Sequence, residues 1–94
     1  MRYYYVYVLL SERDRNFYVG FTKNLNRRIQ EHNDGKVKST INRNPLKLVY
    51  WEGCLSQQDA TKREKYLKST WGKRYIKNRL KIYLTGLTRE IPII

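Results

Sequence analysis

The sequence predicts a small α/β (α+β) domain, a three-stranded antiparallel sheet flanked by helices in the order β-β-α-β-α-α. Three observations predict it. Two runs rich in tyrosine and valine alternate with period two on either side of a short polar stretch, and a third such run follows Pro45. Three segments carry helix-start residues and an apolar repeat near 3.6. The 94 residues leave room for one domain, and a chain of that size buries only roughly 60–65% of its unfolded surface. Nine tyrosines and two tryptophans must then supply much of the packing, with their polar ends near water.

Residues 3–10 form the first predicted strand, with Tyr4, Val6, Val8 and Leu10 on one face and Tyr3, Tyr5, Tyr7 and Leu9 on the other. Glu12 to Asn16 is a polar connection of hairpin type, and 17–21 is the second strand, with Tyr18 opposite in parity to Phe17, Val19 and Phe21. Gly20 interrupts that strand, which marks a bulge or the close approach of another group to the backbone. Asn24 caps a helix over 25–34 that Gly35 closes. Leu25, Ile29 and His32 share one stripe of it, with Arg28 on the edge one turn before His32. Residues 36–45 are a basic polar loop, and 46–52 the third strand, in which Leu46, Leu48, Tyr50 and Glu52 alternate with Lys47, Val49 and Trp51. Ser56 and Asp59 resemble a capping box, so a helix runs from there to Ser69 with Ala60, Glu64, Leu67 and Trp71 along its stripe. A last helix over 72–83 presents Ile76, Leu80 and Tyr83. The domain is expected to span 1–84, followed by a tail, 85–94, that docks on the domain or on a second copy.

The charge narrows the function. Lys and Arg number 20 against 8 acids, a net charge of +12, which implies a polyanionic partner, nucleic acid first. A membrane surface would want a basic helix with a wide apolar face to spare, and none is evident. No apolar stretch is long enough for a bilayer span, and MRYYYVYVLL lacks a cleavage site of small residues. Cys54 is the only cysteine, which excludes an intrachain disulfide and fits a small buried hydrophobe in the reducing cytoplasm.

Several residues have chemistry to offer. Glu64 is the only acid between Ala60 and Arg89, on the apolar side of its helix. A carboxylate there needs a partner, either Arg28 or a lysine, or a metal ion. One carboxylate is too few for a two-metal centre, and one His with one Cys cannot close a tetrahedral zinc site. A single Mg²⁺ (or Mn²⁺) asks less, because it keeps waters and takes phosphate oxygens. Tyr7 and Tyr18 share a pocket by strand parity, and a phenol there can activate water only if cations stabilise its anion. Arg28 suits a phosphoryl oxygen and His32 stands in register with it. Ser39, Thr40 and Arg43 suit phosphate contacts in the basic loop, and Lys73, Arg74, Lys77, Arg79 and Lys81 widen the basic surface. Asn78 lies opposite the apolar face of its helix.

Tyr5-Val6-Tyr7, Tyr18-Val19-Gly20, Arg28, His32 and Glu64 together resemble the GIY-YIG nuclease superfamily over residues 3–82, with Asn78 in the place of a late asparagine. The chain looks closest to small stand-alone bacterial members, related to the nuclease domains of UvrC repair proteins and Slx structure-specific nucleases. The resemblance implies a metal-dependent DNA endonuclease working in repair or on branched DNA. Tyr7, Tyr18, Arg28, His32 and Glu64 would be catalytic, and Glu64 would hold one Mg²⁺ or Mn²⁺. Lys23, Arg27, Ser39, Thr40, Arg43, Lys73, Arg74 and Asn78 would face the nucleic acid. Two residues depart from the pattern: Tyr5 replaces a glycine, and Phe21 stands where the repair nucleases carry a lysine. Lys23 or Arg27 would then supply the cation for the phenolate. The alternative is an inactive basic module that binds DNA or RNA on the same fold. The sequence does not choose between DNA and RNA, nor between a monomer, a homodimer and a complex with another protein.

Overall fold

A computed structural model describes residues 2–88. Its elements are β1 (Tyr4–Ser11), β2 (Phe17–Thr22), α1 (Leu25–Asn33), a short 3-10 turn (Ile41–Arg43), β3 (Leu46–Cys54), α2 (Gln57–Lys68), α3 (Thr70–Arg79) and α4 (Lys81–Thr88). The sheet is antiparallel with strand order β2-β1-β3, so β1 is central. That place explains why its alternation holds apolar or aromatic residues at both parities. Val6 and Val8 pack with Val19 against Ala60, Leu67 and Ile76 of α2 and α3. Tyr7 and Leu9 pack with Leu46 against Leu25 and Ile29 of α1. The fold is the predicted α+β arrangement.

Local signals set the ends of the helices. Asn24 Oδ1 accepts the Arg27 amide at 3.1 Å, Ser56 Oγ that of Asp59 at 3.4 Å, and Ser69 Oγ that of Gly72 at 3.1 Å. Each satisfies an amide that the first helical turn leaves open. Gly35, just past α1, takes a left-handed φ of 73°, where a side chain would be strained. Arg63 of α2 binds Glu52 of β3 through two nitrogens at 2.9 and 2.8 Å, and the Tyr50 hydroxyl donates to the same carboxylate at 2.7 Å. The paired guanidinium holds Glu52 ionised despite its partial burial.

Four expectations are corrected. Ser69 starts a new helix, so the stripe of α2 does not continue to Trp71, which is 66% exposed with Arg74 stacked on it. The helix expected over 72–83 is two, divided at Leu80, and Tyr83 is exposed beside Lys47. Residues 89–94 of the expected tail lie outside the described residues. Cys54 is only half-buried, at the margin of the core. Finally, β3 does not alternate without a break. A register shift against Val8 and Leu9 pairs Tyr50 with Val8 but Leu48 with Leu9, skipping Val49. One extra residue moves every later side chain to the other face. Leu46 and Leu48 thus join the α1 layer while Tyr50 packs in the α2–α3 layer. No helix among the described residues is long and apolar enough to cross a membrane.

Candidate active site

The α1 face of the sheet carries a cluster of three rings. Tyr7 and Tyr18 reach it from neighbouring strands, where Tyr7 pairs with Gly20 and Tyr18 with Leu9. His32 reaches it from the last turn of α1, fully buried. Its ring lies 5.6 Å from Tyr7 and 5.1 Å from Tyr18, both edge-on, and the two tyrosine rings are 6.4 Å apart. Gly20 makes the Tyr7 position possible. The Tyr7 ring lies across it so closely that a Cβ would fall 2.9 Å from Cε1 and closer still to Cζ and the hydroxyl. The break in β2 is therefore a close approach, not a bulge.

Hydrogen bonds fix the imidazole at both ends. His32 Nε2 meets the Tyr7 hydroxyl at 2.7 Å and Nδ1 meets Thr40 Oγ1 at 2.8 Å. The Arg28 guanidinium adjoins the same phenol and can only donate. The Tyr7 hydroxyl proton is thus directed to Nε2, which leaves the Nδ1 proton for Thr40. Burial pushes the Tyr7 phenol up to about 12, with Arg28 pulling against it and the Tyr18 and Glu64 charges adding to the rise. Burial, aided by the Arg28 cation, pushes His32 down to about 4. At neutral pH the pair is therefore a neutral phenol and a neutral imidazole. Hydrogen bonding to Tyr7 holds the Arg28 guanidinium more firmly protonated, with a further bond to Glu31 at 3.0 Å.

Glu64 comes from α2, partly buried, with its carboxylate 3.0 Å from Lys68 and within electrostatic reach of Tyr7. Its partner is this lysine, not Arg28. Among the described residues no three His, Cys, Asp or Glu side chains gather as a metal site. The donor set is one carboxylate opposed by one half-exposed lysine, which fits a single hard cation that completes its shell with water and phosphate oxygens.

The remaining predicted residues divide. Ser39 is exposed and its hydroxyl lies 3.4 Å from that of Tyr18. Thr40 is fully buried against His32, so it cannot meet a phosphate and instead orients the imidazole. Sequence reasoning missed this role because a threonine in a polar loop carries no signal of it. Arg43 is spent on the β1–β2 turn, bonding Asp14 at 2.7 Å and the Asn16 and Phe17 carbonyls; it is a strut rather than a free phosphate ligand. Lys23 and Arg27 are exposed at the start of α1, Arg27 with Glu31 at 3.9 Å. Lys73 lies with Lys77, Lys81, Arg15 and Arg43 along an open groove of about 840 Å³. Lys73 and Lys77 stand one turn apart on α3 and Lys81 begins α4. Arg74 covers Trp71, and Asn78 is exposed on α3, outside the hydrogen bonds of the ring cluster.

The family model of the GIY-YIG catalytic domain matches residues 3–80. A UPF0213 protein of Clostridium perfringens is 45% identical over 65 residues, 68% of this chain and 69% of that protein. One of Bacillus licheniformis is 41% identical over 80 residues, 81% of each chain. The solution NMR structure of a UPF0213 protein from Bacillus halodurans superposes with a TM-score of 0.56 at 29% identity, covering 97% of this chain and 99% of that one. With the Tyr7–Tyr18–His32 cluster on its α1 face, the chain belongs to the GIY-YIG catalytic-domain family, among the UPF0213 proteins.

Proposed function

We propose that the protein is a metal-dependent endonuclease that hydrolyses DNA phosphodiester bonds, in repair or in processing branched DNA, in the cytoplasm. The observation that carries this reading is the ring cluster itself: two phenols on a buried, doubly hydrogen-bonded imidazole with a guanidinium at its edge. Burial divides the phenols. Tyr7 donates its proton to His32 and is held neutral, so it positions. Tyr18 is only half-buried, with a serine hydroxyl at its oxygen, so it is the group placed to take a proton from an attacking water. Tyr18 acts as its phenolate, the anion stabilised by the cation of Lys23 or Arg27: it takes a proton from a water that attacks phosphorus in line, the P–O bond to the leaving oxygen breaks, and that oxygen takes a proton from solvent. Arg28 binds the non-bridging oxygens as their charge grows. Glu64 would hold one Mg²⁺ or Mn²⁺, which supplies charge neutralisation at the scissile phosphate when bound. Lys73, Lys77 and Lys81 carry the flanking backbone.

Supercoiled plasmid, forks and flaps incubated with Mg²⁺ test the reading. Nicking that EDTA abolishes and that Glu64→Ala and Tyr18→Phe each reduce by about two orders of magnitude or more supports it. No cleavage of any DNA form, or variants as active as the native chain, overturns it. The Glu64–Lys68 pair favours one competing reading, an inactive binding module whose glutamate is merely structural. That module would bind DNA or RNA with strong salt dependence, indifferent to Glu64→Ala, and cut neither.

A further inference from the structure

The skipped residue in β3 has a consequence for Trp51. Unbroken alternation from Leu46 and Leu48 would turn Trp51 toward α2 and α3. The shift at Val49 instead pairs it with Tyr7, on the same face as the ring cluster. Irregularities of this kind beside a site re-aim a side chain. Trp51 is 52% exposed there. Its ring stands 5.6 Å from that of Tyr5 at 68°, and Tyr3, also exposed, is 6.4 Å further along. Lys23, Asn24, Leu25 and Asn26 close the other wall of a cleft of about 330 Å³. A single exposed aromatic needs no explanation. Two exposed rings joined through a half-buried third, beside a cation and in register with a site tyrosine, form a built surface.

We propose that Trp51, with Tyr5 and Lys23, is a stacking platform for an unpaired base of the nucleic-acid strand whose scissile phosphate lies at Tyr18 and Arg28. The proposal rests on the nuclease reading above. Every base has a π-face, so an exposed indole binds unpaired bases with little regard to sequence, while Lys23 takes a neighbouring phosphate. A base inside a duplex has both faces covered by its neighbours and offers nothing to the indole. The platform therefore selects flaps, forks and single strands over intact duplex. It would let a small basic domain discriminate between DNA structures that carry the same phosphates.

The test is binding in EDTA, so that cleavage plays no part. In a Trp71→Phe background Trp51 is the only tryptophan, and its fluorescence is read as short oligothymidylate is added. Quenching by that strand, but neither by an abasic strand of equal phosphate number nor by blunt duplex, is expected. Trp51→Ala should weaken binding of a labelled oligothymidylate by about 5- to 150-fold, with duplex binding unchanged and Trp51→Phe restoring most of the loss. Equal quenching by the abasic strand, or native affinity in Trp51→Ala, overturns the platform. So does a shift of Trp51 emission with protein concentration alone, which would make the face a self-association surface. Stacking without cleavage of any DNA would leave the platform standing and remove only the nuclease reading; nicking without stacking does the reverse.

Discussion

Gly20→Ala is the sharpest perturbation of the site, because a single methyl group collides with the ring that organises it. Two effects oppose each other. In a strand interior alanine is intrinsically better than glycine by roughly 0.5–1 kcal/mol. Against that, the added Cβ would sit 2.9 Å from Tyr7 Cε1 and closer to Cζ and the hydroxyl, which forces the ring aside. Overpacking of a well-filled core costs about 1–3 kcal/mol, and breaking the buried Tyr7–His32 hydrogen bond costs about 1–3 kcal/mol more. The net expectation is a loss of about 3 kcal/mol, a fall in Tm of about 10–25 °C for a domain of this size. Urea unfolding of four chains measures it: native, Gly20→Ala, Tyr7→Ala and the double variant. Truncating Tyr7 removes the three atoms nearest the added methyl, so Gly20→Ala should be neutral or stabilising in that background. Tyr7→Phe should not rescue, since ring carbons as well as the hydroxyl are in the way. A loss below about 0.5 kcal/mol in the native background, or the same loss with and without the Tyr7 ring, would refute the role given to Gly20.

Other outcomes follow from the same contacts. Burial holds His32 down to about 4 in the folded chain against an ordinary 6.5, so the unfolded chain binds more protons between those values. The stability tied to its neutral form is fully present above pH 6.5 and is lost as pH falls through 4, about 3 kcal/mol in all; His32→Gln should flatten that stretch of a stability–pH curve. Thr40→Val strands the Nδ1 proton of a fully buried ring and should cost about 1–3 kcal/mol by urea unfolding, with nicking of DNA falling more than stability explains. Gly72→Ala places a Cβ 2.7 Å from the Leu67 carbonyl carbon and closer to Tyr66 O and Leu67 Cα. Backbone cannot yield as a side chain can, so a loss of about 4 kcal/mol or more is expected by calorimetry, whereas Gly53→Ala, which meets only the Tyr3 ring at 3.2 Å, should stay within about 1 kcal/mol.

What could be read in advance was set by neighbours along the chain. Asn24, Ser56 and Gly35 mark helix ends through contacts a few residues away, and the structure keeps them. Parity put Tyr7 and Tyr18 on one face because β1 and β2 are a short hairpin without slippage. The errors arose where a distant partner decides. The extra residue at Val49 exists only in the pairing of β3 with β1, and nothing in 46–52 announces it. Thr40 and Arg43 were grouped with surface cations because their partners, His32 and Asp14, lie 8 and 29 residues away in sequence. Ser69 was visible as a polar residue, but its role as the N-cap of α3, rather than the end of α2 alone, depends on how Gly72 packs against Tyr66 and Leu67.

The site is held with unequal firmness, and the inequality matches the chemistry asked of it. His32 is buried and hydrogen-bonded at both nitrogens, and Tyr7 is pinned between it, Arg28 and the bare face of Gly20. Displacing the imidazole or the phenol exposes or strands a polar group in the interior, which is costly. Arg28 and Glu64 are different. Their ion partners, Glu31 and Lys68, sit one turn along the same helix and stand partly in water. Pairs of that kind contribute about 0–1 kcal/mol, so exchanging Glu31 for a phosphate oxygen, or Lys68 for a hydrated cation, costs little. On the proposed reading, the uncharged groups that would orient the reaction are thus fixed in advance, while the two charges assigned to phosphate and cation are held in ion pairs that exchange readily. A stronger partner for Glu64, such as an arginine held as firmly as Arg63 is by Glu52, would stabilise the fold and close the carboxylate to anything else.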